Sequence, residues 1–370
     1  MNKTSLVLLL YLSSGYLFAQ NTDTTFYDEE KTVIKEIFTS VSGVPHGDYA
    51  RYYPEEGLAE RGNFISGKRQ GLFVTFFPNS QDTLRSVNFI DGLKSGPATT
   101  YYANGKISQE AHFHEDQLQG EVRTYFESGG LQTQAFFLDN TPHGIRKSYY
   151  ENGQIMETAE LAHGALEGES IRYDEQGNKT SVSVYKNGNL SGTFYTFYPD
   201  GQLESEVHYK DGVRNGSYHV YFQNQQIEEE GSYRQGHPHG TFTTYHSNGN
   251  TASVTKFSRG KIQGEAITYY PSGRKSRVIR YDKAGVPLLE EEYHENGQLR
   301  KTVSFVNGQE NGPATLFHEN GEILEIIPYN KGKISGTYRR FDEKGQVVLE
   351  RIFENGREVI QEIDSKNKIF

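Results

Sequence analysis

An aromatic residue returns at a fixed interval along most of this chain. The series runs Tyr52, Phe76, Tyr101, Tyr125, Tyr149, Tyr173, Phe197, Tyr221, Tyr245, Tyr269, Tyr293, Phe317 and Phe341. From Tyr101 onward every step is 24 residues, with no insertion or deletion. A period of that length marks an array of small units that bury surface only against their neighbours. It therefore overrides the two or three globular domains that 370 residues would otherwise suggest.

The unit Gly192–Asn215 shows the pattern most clearly: GTFYTFYPDGQLESEVHYKDGVRN, followed by Gly216. Thr193 to Tyr198 is aromatic and β-branched. Gln202 to Tyr209 alternates, with Leu203, Val207 and Tyr209 on one parity and Glu204, Glu206 and His208 on the other. Alternation of period two bounded by Asp-Gly reads as a β-hairpin. A first turn recurs at Asn104-Gly105, Asn152-Gly153, Asp200-Gly201, Asn248-Gly249, Asn296-Gly297 and Asn320-Gly321. Its glycine fits a three-residue loop ending with positive φ. That geometry pairs each ladder aromatic with the residue six positions later, Phe197 with Leu203. A second turn carries Gly164, Gly188, Gly212, Gly236, Gly260, Gly308, Gly332 and Gly356, with Asp116 and Asn140 substituting. These glycines read as backbone requirements, not phosphate-binding loops.

A second ladder lies twelve residues after the first, from Phe64, Phe89, Phe113 and Phe137 through Tyr185 and Tyr209 to Phe353, interrupted by Leu161. The two ladders are expected to share one face. The expected fold is all-β: an elongated array of about 13 β-hairpin repeats of 24-residue period, forming one long twisted antiparallel sheet. Bulges or kinks are expected at two breaks. Near Asn79-Ser80-Gln81 the first turn lacks glycine and one extra residue shifts Phe89; near Ala284-Gly285-Val286-Pro287 the closing glycine is Leu288.

The unit Y-Y-x-x-G-x-[LI]-x₅-[YF]-x-x-G-x-x-x-G, present as Tyr149-Tyr150 to Gly168 and Phe197-Tyr198 to Gly216, resembles the MORN repeat variant. The resemblance covers residues 33–356, lacks every Trp, and is closest to bacterial proteins labelled YwqK-type antitoxins. It implies β-hairpin arrays used as binding or spacer scaffolds and implies no catalysis. An export signal does not suit a cytosolic neutraliser.

Residues 1–19 carry Lys3, an apolar run Leu6 to Leu12, and Tyr16-Leu-Phe-Ala19 before Gln20, and read as a cleavable secretory signal. The apolar run is short for a span of ~20 residues. Residues 20–32 are expected as a flexible segment, 33–356 as the repeat domain and 357–370 as a C-terminal cap or tail. With no cysteine, disulfides, thiolate metal sites and a lipid-modified cysteine are excluded. An export signal without cysteine suits a periplasmic, surface or secreted bacterial protein. The net charge of −10 argues against nucleic acid and against anionic lipid, the runner-up partner.

The residue after each first-ladder aromatic forms a less regular row. Tyr53, Phe77, Tyr102, Phe126, Tyr150, Tyr198, Phe222 and Tyr270 are its aromatic members and the candidate binding residues, a stacking platform for a glycan or an extended peptide. Asp174, His246, His294, His318 and Asp342 interrupt it, and the alternative is that the row packs under neighbouring side chains. The histidines include turn sequences such as Pro142-His143-Gly144 and bring no recurrent third ligand, so no metal is expected. Glu228-Glu229-Glu230 and Glu290-Glu291-Glu292 read as solvated strand edges. No nucleophile elbow or Ser/His/Asp set is present, so no catalytic residue and no cofactor is expected. The partner is expected to be an unidentified protein or glycan.

Overall fold

The computed structural model describes residues 20–55 and 57–359. The expected signal segment, residues 1–19, and tail residues 360–370 lie outside them. All the regular structure described is β-strand. The fold divides between Ala165 and Leu166 into two compact units. Within each, the chain runs as an antiparallel meander in which strands pair with their near neighbours in sequence.

Two turn types drive the meander. The first is the expected three-residue loop. In Tyr150 to Gln154, the Gly153 N–H donates to Tyr150 O at 2.9 Å, and Tyr150 N–H donates to Gln154 O at 2.9 Å. Gly153 has φ +85°. Phe197 pairs with Leu203 as the loop length requires, and Tyr52 with Leu58, Tyr101 with Ile107 and Phe317 with Ile323. The second turn has two central residues, both at positive φ, as in Asp211 (φ 50°) and Gly212 (φ 79°). That is the type I′ geometry, whose twist matches that of the flanking strands. The closing glycine four residues later is not part of this turn. Gly216, at φ +129°, sits where the register skips between Val207 and Tyr209.

Bulges therefore occur in every ordinary unit, not only at the two sequence breaks. The register also shifts just before each first-ladder residue, as between Thr196 and Phe197. This shift overturns the expectation of a shared face. Tyr209 pairs with Gly192 on the face of Phe194, and the two rings meet edge-on with centroids 6.4 Å apart. First-ladder hydroxyls reach the opposite face instead. Tyr221 donates to Glu206 at 3.1 Å, Tyr125 to Glu110 at 2.5 Å and Tyr245 to Glu230 at 2.6 Å. One residue of bulge reverses the alternation that parity alone would carry through.

Nor is the first ladder the best-buried row. Phe76 is buried, but the other twelve members are half-buried. The most buried positions lie three residues earlier, among them Phe73 (2% exposed), Ala98, Val122, Phe242 and Ala314. Their identities look irregular because each is matched to its cross-strand partner. Tyr49 faces Gly62, Phe73 faces Val87, Ala98 faces Ala111 and Tyr218 faces Gly231. Glycine opposite Tyr49 and Tyr218 leaves room for a large ring, and the neighbouring Phe73 and Phe242 fill it.

This row builds a four-ring cluster in each unit. Phe73 meets Phe64 at 5.5 Å and Phe89 at 5.2 Å, with Tyr49 at 6.2 Å. Phe242 meets Tyr233 at 5.4 Å, Phe257 at 5.3 Å and Tyr218 at 6.2 Å. Edge-to-face pairs at such separations add about 0.5–1.5 kcal/mol beyond burial. In the N-terminal unit the Arg69 guanidinium lies 4.4 Å from the Phe73 ring centre and forks onto Glu60, which is 6% exposed.

The Tyr218 and Tyr49 phenols in these clusters resist ionisation. Burial, then the charge and hydrogen bond of Glu229, push Tyr218 up to about 12 from 10.0, and burial with Glu36 raises Tyr49 as well. A raised folded pKa favours folding fully below pH 10 and loses that contribution as pH climbs through 12. Melting temperature should hold to about pH 10 and fall toward pH 12. A melting temperature unchanged from about pH 9 to about pH 12 would contradict this.

The two breaks and the N-terminal segment differ from expectation for local reasons. At residues 77–82 the first turn is one residue longer: Phe77 N–H donates to Asp82 O at 3.0 Å, Asn79 takes the left-handed position (φ 57°), and Phe76 pairs with Thr83. At residues 282–286 the second turn is replaced by first-turn geometry. Within residues 20–32, expected as a flexible segment, the chain forms a strand and a closed loop. Asn21–Phe26 pairs with Ile34–Val41, and the Asp28 carboxylate accepts from Thr32 and Val33 N–H at 2.8 and 2.7 Å. The backbone bond from Thr32, then that from Val33, holds this carboxyl below its usual range. At the other end, Arg357–Glu358 still pairs with Phe353 and Glu354.

Candidate functional site

The candidate row sits at the first turns, one residue past each strand end. Each of its residues opens the turn, as Tyr102 does by donating its N–H to Lys106 O at 2.8 Å. Phe77, Phe126 and Phe222 occupy the same place, with N–H bonds of 3.0, 2.8 and 2.9 Å across their turns. Tyr150 does so at 2.9 Å. All eight aromatic members are half-buried.

Their hydroxyls are engaged by the protein. Tyr53 donates to Phe76 O at 2.8 Å, Tyr102 to Tyr125 O at 2.6 Å, Tyr198 to Tyr221 O at 2.6 Å and Tyr270 to Tyr293 O at 2.7 Å. In each case the acceptor is the ladder carbonyl 23 residues on, in the next repeat, so the phenol tip pins one first turn to the next. The fork of two turns also uses asparagine: Asn248 Nδ2 donates to Pro271 O and Asn296 Nδ2 to Glu319 O, both at 2.8 Å.

The sequence reading treated His246, His294 and His318 as interruptions. They make the same bond, Nε2 lying 2.9, 3.0 and 3.4 Å from Tyr269, Phe317 and Phe341 O. An imidazole N–H substitutes for a phenol O–H at similar reach. Asp174 and Asp342 turn inward and cap their own turns, Asp174 Oδ1 accepting from Gln176 and Asn178 N–H at 3.0 and 2.8 Å. Sequence reasoning missed one member. Tyr27 donates to Tyr52 O at 3.0 Å, but its loop closes on Val33 and so falls outside the 24-residue register. The adjacent Phe26-Tyr27 pair was the available signal.

With the tips pinned, what each tyrosine can offer a ligand is ring surface. The row has acidic surroundings. Partial burial, then Glu204, Glu228 and Asp200, raise the Tyr198 phenol. Strand spacing places successive rings roughly 9–10 Å apart, two strands per repeat. Among the described residues no three His, Asp or Glu side chains gather to hold a metal, and no helix is long and apolar enough to cross a membrane.

No curated protein matches the chain. Among solved structures, the complex TcdB2-TccC3 aligns at 12% identity over 91% of this chain and 24% of that one, with a TM-score of 0.16. The Photorhabdus luminescens Tc holotoxin pore aligns at 12% identity over 89% and 23%, with a TM-score of 0.15. The chain thus spans about a quarter of the length of these structures, and likeness at such scores assigns neither fold nor function. The family model that does match is the MORN repeat variant, at residues 94–115, 118–139, 142–161, 190–211, 288–307 and 310–331. Each matched segment begins just after a second turn, or after the loop that replaces one, and encloses one first turn, and all but residues 142–161 run to the next second turn, so the matched unit follows the structural repeat. Over these six segments the chain is similar to the MORN repeat variant.

Proposed function

We propose that this protein is a non-enzymatic exported scaffold that binds a protein or glycan along its row of first turns. The carrying observation is the set of half-buried tyrosines whose hydroxyls are bonded to the next repeat. A ring held at its tip loses little further rotamer freedom when a ligand stacks on it, which favours binding by pre-organisation. Sugar rings or the side chains of an extended segment suit such a ladder. The export signal expected at residues 1–19 supports a location in the periplasm, at the surface or outside the cell; a lipid surface or a neutralised toxin is a weaker fit to the charge and to that expected leader.

Tyr102 separates the two roles. Tyr102→Phe removes the bond to Tyr125 O and keeps the ring; it should cost about 0.5–1.5 kcal/mol of stability and weaken binding without abolishing it. Tyr102→Ala, paired with Tyr150→Ala, should remove binding as well. Glycan and peptide arrays probed with the three proteins provide the measurement. An absence of wild-type hits on both arrays, or equal binding by the alanine variant, would defeat the proposal.

A further inference from the structure

The repeat fails at residues 282–286, and a pocket lies beside the failure. Elsewhere each second turn is hydrogen-bonded to the repeat before it: Gly236 N–H to Arg214 O at 2.9 Å, Gly260 to Pro238 O at 3.1 Å and Gly332 to Glu310 O at 2.9 Å. The loop Asp282 to Val286 instead closes on itself. Asp282 N–H donates to Val286 O, and Asp282 Oδ1 accepts from Ala284 and Val286 N–H, all at 2.8 Å. Among the described residues no turn-to-turn bond is made on either side of it. Because a longer loop replaces a two-residue turn, its strands end early, at Tyr281 opposite Pro287.

A solvent-open pocket of about 540 Å³ lies beside this loop, walled by Ile279, Tyr281, Pro287 and Phe305. Arg277, Glu290 and Glu310 also line it. The volume lies in the range of small-ligand sites. Two of the three charges stand where most repeats carry apolar residues. Glu290, 7% exposed, stands in the row occupied by Phe242, Ala266 and Ala314, with Arg146 the other charge in it. Glu310 stands where other repeats have Leu118, Leu166, Leu190 or Ile262, or the opposite charge of Arg69, Lys94 and Arg214. Arg277 Nε is 2.6 Å from Glu290 Oε1, so those two charges answer each other. No hydrogen bond or ion pair reaches the Glu310 carboxylate among the described residues. The cavity is left with two aromatic walls and one unanswered negative charge.

We infer that this cavity receives an arginine side chain of a partner protein. A guanidinium is planar, stacks on aromatic faces and forks onto a carboxylate, which is what Tyr281, Phe305 and Glu310 together offer. Its alkyl stem would lie against Ile279 and Pro287. This deepens the protein-binding reading of the scaffold but uses a different surface from the tyrosine row.

The test titrates the full chain, by NMR, with a short peptide holding one arginine, and with the same peptide carrying citrulline or lysine. Saturable binding of the arginine peptide is expected, weakened about 10- to 100-fold by citrulline or by Glu310→Gln. Glu310→Leu, which restores the residue of neighbouring repeats, should abolish binding and raise the melting temperature; an unchanged melting temperature for Glu310→Gln verifies its fold. Absence of saturable binding, equal affinity for Glu310→Gln, or lysine binding as tightly as arginine would overturn the assignment. If the arrays show no ligand while the arginine peptide binds, only the tyrosine-row reading falls, and the reverse result removes only this one.

Discussion

Replacing Gly231 by alanine should destabilise the chain by about 1–3 kcal/mol, more than the methyl group's size suggests. Gly231 is not at positive φ, so alanine meets no backbone penalty there. Its Cβ, however, would lie 2.6 Å from Cδ1 and Cε1 of Phe242. That ring is held by Tyr218, Tyr233 and Phe257, so it cannot yield without moving three others. Gly62 stands in the same relation to Phe73, at 2.5 Å, and should behave alike. Gly105 gives the contrast: its Cβ would meet nothing within 4 Å, but its φ is +82°, so an alanine there should cost only about 1 kcal/mol through the backbone. Denaturant midpoints and hydrogen exchange over residues 218–257 provide the measurement. Recovery in a Gly231→Ala, Phe242→Leu double variant would identify steric overlap as the cause; a single variant as stable as wild type would refute it.

Removing one whole repeat should leave a folded, shorter protein. In a chain deleted for Gly192–Asn215, Gly216 follows Ser191 and takes the place of Gly192. Both glycines have strongly positive φ, 129° and 116°, and both begin a strand segment that pairs with an aromatic residue, Tyr233 and Tyr209. Every strand pairing that remains has a template in the next repeat, because units contact only their neighbours. Removing half a unit, Gly192–Leu203, should abolish folding of the surrounding repeats. It deletes a first turn and joins strands whose buried positions fall on opposite faces. Circular dichroism and size-exclusion elution of the two deletions decide the matter. Equal loss of structure in both would contradict an array held together by nearest-neighbour contacts.

Much of the fold was legible because turn chemistry is local. Asn-Gly or Asp-Gly at regular places announced six of the first turns, and loop length alone paired Phe197 with Leu203. Bulges were harder to read. Gly216 looks like the end of a turn in sequence, yet it marks a register skip, and the shift between Thr196 and Phe197 leaves no residue signature. That unseen shift sends the two aromatic ladders to opposite faces. The candidate row was found for its aromaticity, whereas its hydroxyls and imidazoles bond to carbonyls 23 residues away. Tyrosine and histidine are interchangeable for that bond, so the histidine substitutions that seemed to erase the row preserve its linkage, whereas Asp174 and Asp342 cap their own turns.

By itself the sequence determined the all-β class, the repeat length, the turn positions and the places where the pattern breaks, since each follows from backbone preference within a few residues. Only the tertiary structure decided which row is most buried, why Tyr49 faces Gly62 and Tyr218 faces Gly231, and that a pocket lies beside the break at residues 282–286. Those depend on volume shared between strands and on one-residue register shifts, and neither is a property of any single segment.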